Sequence, residues 1–304
     1  MPPVLSIGLP VYNGENYLES SAMSLLEQTF TDFELIIVDN ASTDRTEEIC
    51  RSLARRDDRV SYHRNERNIG ASRNYNRAFE LARGEFFKWA AHDDECHPRM
   101  LEACLQAFQE SDDDVVMVYP LGELIDDRGL SVRSPLDRIA SDDPRPAKRI
   151  QKLLRSLSMC DPVFGVYRTD ALRQSGLIGS FCGADYVLMA EMAMMGKIRE
   201  VEEPLFRLRK HAQRSNTANT STRDRTAWYN PDAVRAALVL PIWEQMVWGL
   251  LKAITRSELA VAQKGQVTAA ALAAHYSRRL RVFGGRKKRE LRALITHRAQ
   301  LRTN

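Results

Sequence analysis

The chain has 304 residues, of which 44% are hydrophobic and 28% charged. That length accommodates one large α/β domain and a smaller C-terminal part, and the composition excludes a disordered or fibrous chain. The formal net charge is +4, but residues 278–304 hold ten Lys or Arg against the single acid Glu290, so +9 there leaves −5 elsewhere.

Strand-like and helix-like segments alternate through the first part. VLSIGL (4–9) reads as a buried strand, and helical spacing follows through Tyr17, Met23, Leu25 and Leu26. FELIIVD (33–39) is a second strand; Asp44, with Glu47 three residues on, resembles the N-cap of a helix running towards Arg56. VSYHR (60–64) is a short third strand, a helix follows Gly70 through Ala82, and FFKWAA (86–91) and VVMVYP (115–120) are the fourth and fifth strands. This alternation predicts a parallel, doubly wound sheet, whose ligands bind beyond the carboxyl ends of the strands. PVYNGE, DNASTD and AHDDE all fall just after strand ends, so three polar clusters are expected to meet in one crevice.

Beyond Gly165 the pattern is mixed. ADYVLMAEMAMMG (184–196) is helical, KIREV and PLFRLRKH are short strand candidates, and residues 213–226, without an apolar run, read as a flexible loop. Helices and a basic tail fill the rest. Cys50, Cys96, Cys104, Cys160 and Cys182 are odd in number and form no CxxC pair, which favours a reducing cytoplasm over a disulfide framework. MPPVLSIGLP lacks the basic and apolar regions of a signal peptide. Pro241, Glu244, Gln245 and Lys252 interrupt the one candidate membrane span, 236–254.

The glycine fingerprint GxGxxG is absent after the first strand, where Gly14 stands alone, and so is the P-loop pattern GxxxxGK[ST]. A site without a glycine phosphate loop needs another way to neutralise phosphates, and a divalent cation held by carboxylates supplies one.

The segments IGLPVYNGENYLESSAMSLLEQTF, ELIIVDNASTDRT, RNIGASRNYNRAFELARGEFF and HDD, in this order, resemble family-2 glycosyltransferases over roughly residues 4–211. The resemblance implies a GT-A fold: an α/β, Rossmann-like, mostly parallel sheet flanked by helices, here with a C-terminal helical extension. It divides the chain into a glycosyltransferase domain over 1–212 (a nucleotide-binding half at about 1–120, an acceptor half at about 121–212), a loop or lid over 213–226, and a basic helical extension over 227–304.

The resemblance also implies residue roles. Pro10, Tyr12, Asn13 and Glu15 would line the nucleotide pocket, and Asp39 would accept a hydrogen bond from N3–H of uracil or thymine. Gly70, Arg73 and Asn74 would lie near the base and diphosphate, Arg73 offering a planar fork of donors. Most members have Asp-x-Asp-Asp after the fourth strand; here the series is Ala91-His92-Asp93-Asp94, so the metal-binding position is Asp93 and its partner acid is lost. His92 and Asp94 would face the ribose and diphosphate. Asp185 takes the place of the catalytic base at a helix start, which favours an ionised carboxylate. Arg209 would contact the diphosphate, and His211 would be a metal ligand or phosphate donor.

The implied activity is inverting, metal-assisted (Mn or Mg) transfer of a sugar from a UDP- or dTDP-sugar to a hydroxyl of a polysaccharide or glycolipid, in the cytoplasm or on the inner membrane face. An inactive nucleotide-sugar-binding or scaffold protein stays open because of Ala91. A nucleotidyltransferase is disfavoured, since no Gly-rich basic loop follows the first strand. Taken singly, HDDE reads as a solvated turn, Asp39 as a strand-end cap, Asp185 as an N-cap and His211 as a surface histidine. The basic C-terminal run fits a solvated face, helix packing or oligomerisation, or an anionic membrane surface. Tyr276 and Phe283 are too few aromatics for stacking on nucleic acid.

Overall fold

The structure, a computed structural model, describes residues 1–133, 137–212, 214, 218, 220–233 and 240–300, the last twenty as backbone only. The first half lays down β1 (Leu5–Val11), α1 (Leu18–Leu26), β2 (Phe33–Asp39), α2 (Thr46–Arg56), β3 (Val60–Arg64), α3 (Ala71–Glu80) and β4 (Phe86–Trp89). Every residue of β1, β2 and β4 is buried, because helices cover both faces of the sheet, so these strands are mostly apolar without alternation, and the polar Ser6, Glu34, Asp39 and Lys88 within them are hydrogen-bonded. β5 (Glu95–Cys96), α4 (Met100–Gln109), β6 (Val115–Ile125), β7 (Ser131–Arg133), α5 (Pro146–Ser156), a 3₁₀ turn (Asp161–Phe164), β8 (Val166–Arg168), α6 (Thr169–Gln174), α7 (Ala184–Met195) and β9 (Lys197–Arg209) follow.

One sheet runs β3-β2-β1-β4-β8-β6-β9-β5, with β7 on β6. The pairing senses put β1, β2, β3, β4, β6 and β9 in one direction and β5, β7 and β8 in the other, so the sheet is mostly parallel, as expected. The two strand candidates KIREV and PLFRLRKH are a single bulged strand, β9. Pro120 pairs with Val201 and Leu121 with Pro204, leaving Glu202 and Glu203 without opposite residues. Pro204 has no N–H for the ladder, which is where a strand takes a bulge. Asp44 is not the cap of α2: its Oδ1 accepts Thr46 N–H at 3.0 Å and its Oδ2 accepts Glu15 N–H at 3.1 Å, while Arg45 holds the cap position.

A core lies on each face. Leu5, Ile7 and Leu9 of β1 pack with Leu18 and Leu25 of α1 and Leu101 and Leu105 of α4. On the other face Phe87, Trp89 and Tyr167 pack with α5 and α7, and the same core takes Leu250, Ala253 and Ile254 of α9 (Ile242–Arg256) and Val267, Ala271 and Ala274 of α10 (Val261–Gln300). The C-terminal helices therefore share the domain's core. The stretch read as a loop over 213–226 gives way at Thr222 to α8 (Thr222–Tyr229), opened by a capping box in which Ser221 and Asp224 bond reciprocally. No described helix is long and apolar enough to cross a membrane.

Candidate active site

The carboxyl ends of β1, β2 and β4 open into a cavity of about 680 Å³. One wall is the loop after β1. Asn13 is left-handed (φ 51°), and its N–H donates to Ser42 Oγ at 2.9 Å while its Oδ1 accepts Thr43 N–H at 2.9 Å. Gly14 N–H donates to Thr46 Oγ1, also at 2.9 Å, so the loop is bolted to the start of α2. A Cβ on Gly14 would sit 2.7 Å from the His92 ring, so that glycine admits His92 to the wall. A second wall is an amide network: Asn40 bonds Asn68, and Asn65 bonds both Asn40 and Asn74, whose own amide donates to Val38 O.

At the floor lie Asp93 and His211, with Nε2 of the imidazole 2.8 Å from the carboxylate Oδ2. Burial by itself raises the Asp93 pKa, but the His211 hydrogen bond and the charges of His92, His211 and Arg214 outweigh it and hold Asp93 below the usual carboxylate value. Asp94 goes the other way: burial and the negative Asp93 beside it push it well up, so the proton of the pair sits on Asp94. Among the described residues no group of three or more His, Cys, Asp and Glu side chains is placed to hold a metal. One carboxylate and one imidazole fit a Mn or Mg ion completed by diphosphate oxygens and water, not a closed protein cage. His211 Nδ1 is buried with no hydrogen-bond partner among the described residues, an orphaned atom that fits a site completed by a ligand.

Pro10, Tyr12, Asn13, Asn74, His92, Asp93, Asp94 and His211 all line this cavity. Other predicted residues are placed differently. Arg209 is only 4% exposed, and its guanidinium is bonded to Asp93 O, Asp126 O, Asp127 O and Glu95, which ties down the acidic turn. Asp39 is fully buried, with Oδ1 accepting Ser42 N–H at 2.8 Å and Oδ2 accepting Tyr62 O–H at 2.9 Å and an Arg64 N–H. Glu15 accepts Arg45 N–H at 3.1 Å, and Arg73 pairs with Asp232 at 3.3 Å, both away from the cavity. Gly70, at φ +86°, lies against the Tyr229 carbonyl and does not face the cavity.

Asp185 opens α7 behind Gly183 (φ +86°), where a Cβ would meet Met246 of α9 at 2.7 Å. Burial raises its pKa; the Tyr186 N–H, its own N–H, the Cys160 thiol and the Arg278 charge pull it back. Its Oδ1 is buried without a hydrogen-bond partner among the described residues. Asp185 is absent from the cavity wall. Tyr75, which is in that wall, feels the charges of Asp93, Asp94 and Asp185 together, and Tyr229 of α8 feels both Asp185 and Tyr75. Both tyrosines are therefore near Asp185, and Tyr75 is near the acid floor as well. The sequence reading missed Asn40, Asn68, Tyr75, Arg214, Asp224 and Trp228, which also line the cavity. DNAS and NERNIG held a signal for the two asparagines; Arg214, Asp224 and Trp228 reach the wall only through the fold of the segment after β9.

Comparison with known proteins decides what this cavity belongs to. The family model described as glycosyl transferase family 2 matches residues 6–176, more than half of the chain. The chain belongs to glycosyl transferase family 2. Within the family, an uncharacterized glycosyltransferase of Rickettsia typhi is 36% identical over 130 residues, 43% of this chain and 40% of that protein. Glycosyltransferase GlyG of Streptococcus pneumoniae is 35% identical over 117 residues, 38% and 39% of the two chains. The chain spans 21–40% of the length of the first curated relatives it matches. In structure it is similar to residues 1–349 of S. aureus TarS, solved also with UDP-GlcNAc, at a TM-score of 0.66 and 20% identity over 91% of this chain and 72% of that one. Mannosyltransferase PcManGT of Pyrobaculum calidifontis, solved with GDP-Man and Mn2+, gives 0.51 and 18% over 92% and 88%. These likenesses carry the family fold to the described sheet and to the cavity at its carboxyl edge.

Proposed function

We propose that this protein is an inverting glycosyltransferase that moves a sugar from a UDP- or dTDP-sugar to a hydroxyl of a polysaccharide or glycolipid. The observation that carries the reading is the coincidence of family membership with the Asp93–His211 pair at the carboxyl edge of the sheet. Asp93 and His211 would hold a Mn or Mg ion, which when bound offsets negative charge on the diphosphate. Arg214, in the cavity wall and close enough to act on Asp93 and Asp94, is the cation we assign to the diphosphate in place of Arg209. Pro10, Tyr12, Asn13 and Asn40 would seat the nucleoside. Asp39 would meet the base only after Arg64 turns out of its ion pair, and the Arg64 side chain is 33% exposed and so has room to do so.

Asp185 would take the proton from the acceptor hydroxyl as that oxygen attacks the anomeric carbon, a single displacement that inverts configuration. Burial raises its pKa, which strengthens it as a base once ionised. For that step Asp185, which is absent from the cavity wall, must gain access to the donor, and α8, which brings Asp224 and Trp228 to the wall and carries Tyr229 near Asp185, is the element we assign as the lid.

A thermal-shift panel of nucleotide sugars with and without Mn2+ tests the donor class: one uridine or thymidine donor should raise Tm well above the others. Asp185→Asn should abolish transfer and keep donor binding, and transfer at a comparable rate would remove Asp185 as base. The rival, a nucleotide-sugar-binding protein without turnover, is favoured by the partition of Asp185 from the cavity. Release of nucleoside diphosphate by the wild-type chain separates the two.

A further inference from the structure

The outer edge of the C-terminal helices carries a second concavity of about 410 Å³, walled by Leu240, Trp243, Val247, Trp248 and Tyr276, with Glu244 and Arg279 ion-paired at its lip at 3.0 Å. Its side chains face solvent: Trp248 is 59% exposed, Tyr276 49%, Leu240 47% and the neighbouring Leu280 74%. They are nonetheless ordered by aromatic contacts, with Trp243 edge-on to His275 at 5.1 Å and His275 edge-on to Tyr276 at 5.7 Å. The Lys252 ammonium lies 5.4 Å from the centre of the Trp248 ring.

Charge says what such an edge meets. From residue 278 to 304 the sequence has ten cations against one acid, immediately after Tyr276. Backbone of α10 is helical to Gln300. By its 3.6-residue period, positions 276, 280, 283, 291 and 294 share one stripe, which the basic positions 287 and 298 also enter, and basic positions 281, 288 and 292 border it. A stripe that mixes apolar and cationic positions and is opened by Trp and Tyr is the composition of a helix lying in a headgroup interface, where long cationic side chains reach up to the lipid heads.

We propose that this edge docks on an anionic membrane: Trp248, Tyr276 and Leu280 enter the headgroup boundary and the basic stretch of α10 holds acidic lipid heads. A second copy fits less well, because pairing these edges would bring two segments of charge +9 together. A nucleic acid fits less well because the exposed Leu240 and Leu280 would be left without an apolar partner against a phosphate backbone, and the basic stretch itself holds few aromatics for stacking. The inference is independent of the transfer reading, since none of its residues lines the first cavity.

The full chain should co-sediment with phosphatidylcholine vesicles carrying about one-third phosphatidylglycerol at least about tenfold better than with phosphatidylcholine alone, and raised salt should weaken it. Neutralising Arg286, Lys287 and Lys288 together to Gln should cut partitioning by roughly fivefold per charge at most. Trp248→Ser with Leu280→Ser should lower it severalfold, leave Tm unchanged because both side chains are exposed, and abolish a blue shift of tryptophan emission on vesicles. Equal binding to neutral vesicles, or anionic binding indifferent to the Trp248/Leu280 pair, would overturn the proposal. So would light scattering in which that pair dissolves an oligomer without lipid, or displacement from vesicles by a short DNA duplex.

Discussion

Asp161 gives the sharpest stability prediction. It opens the 3₁₀ turn with 4% exposure, and burial first, then the facing Asp137, pushes its pKa up to about 7. Asp137 is itself received by the backbone N–H groups of Ser158, Met159 and Cys160, each at 2.8 Å, so its geometry is built for a carboxylate. Asp161 is fully protonated in both states below its ordinary value near 3.8 and costs nothing there. As pH rises from about 4 to 7 the unfolded chain releases this proton first. The native state then binds more protons than the unfolded one, and unfolding free energy falls with pH. A shift of about three units sets a ceiling of about 4 kcal/mol, and relaxation around the ion leaves about 2 kcal/mol as the expectation. Asp161→Asn keeps the acceptor for Asp137 N–H, now 3.3 Å away, and removes the charge. At pH 8 the variant should be the more stable by about 2 kcal/mol, worth about 4 °C in Tm for a chain of this size, and at pH 4 the difference should shrink to about 0.5 kcal/mol or less. Urea melts at pH 4, 6 and 8 read the difference directly. A variant that is less stable at pH 8, or a difference that does not change with pH, would refute the assignment of the proton to Asp161.

Three further outcomes follow from the same structure. Arg278 lies with its guanidinium carbon 4.3 Å from the Tyr186 ring centre and acts on Asp185, so Arg278→Gln should raise the Asp185 pKa and move the acid limb of kcat/KM to higher pH without changing its shape. An unmoved limb would mean that Asp185 is not the titrating base. Arg214→Ala should weaken nucleotide-sugar binding by about tenfold in calorimetry with melting unchanged, whereas Arg209→Ala, which empties a buried cluster of carbonyl contacts, should chiefly lower Tm; the reverse pattern would restore Arg209 to the diphosphate. Gly183→Ala combines a positive φ with a 2.7 Å approach to Met246 and should destabilise by about 2 kcal/mol in denaturant melts, whereas Gly265→Ala, in the interior of α10 with nothing within 4 Å, should stabilise by up to about 1 kcal/mol.

What the sequence discloses here, and what it hides, divides along the range of the interaction. β1, β2 and β4 are legible because a strand buried on both faces is mostly apolar, a property of seven or fewer adjacent residues, even though Glu34 and Lys88 interrupt two of them. The loop clusters after them are legible for the same reason: polar side chains directly behind such runs have only the carboxyl edge of the sheet to occupy. Arg209 and Arg214 show where this ends. Arg209 ends the last strand and Arg214 follows five residues on, and the family resemblance points to the first. Our preference for the second rests on Glu95 and the carbonyls of Asp93, Asp126 and Asp127, more than eighty residues away in sequence, which hold the guanidinium of Arg209, while Arg214 lines the cavity near Asp93. Asp185 repeats the lesson in the other direction. A helix start after glycine is readable locally, but the placement of Asp185 outside the cavity wall, with Tyr229 of α8 near it and the end of α8 packed against Gly70, is set by segments far apart in sequence. On the proposal that Asp185 is the base, α8, which lines the cavity with Asp224 and Trp228, is the element a bound nucleotide sugar would press on, so that donor entry and exposure of the base would be coupled.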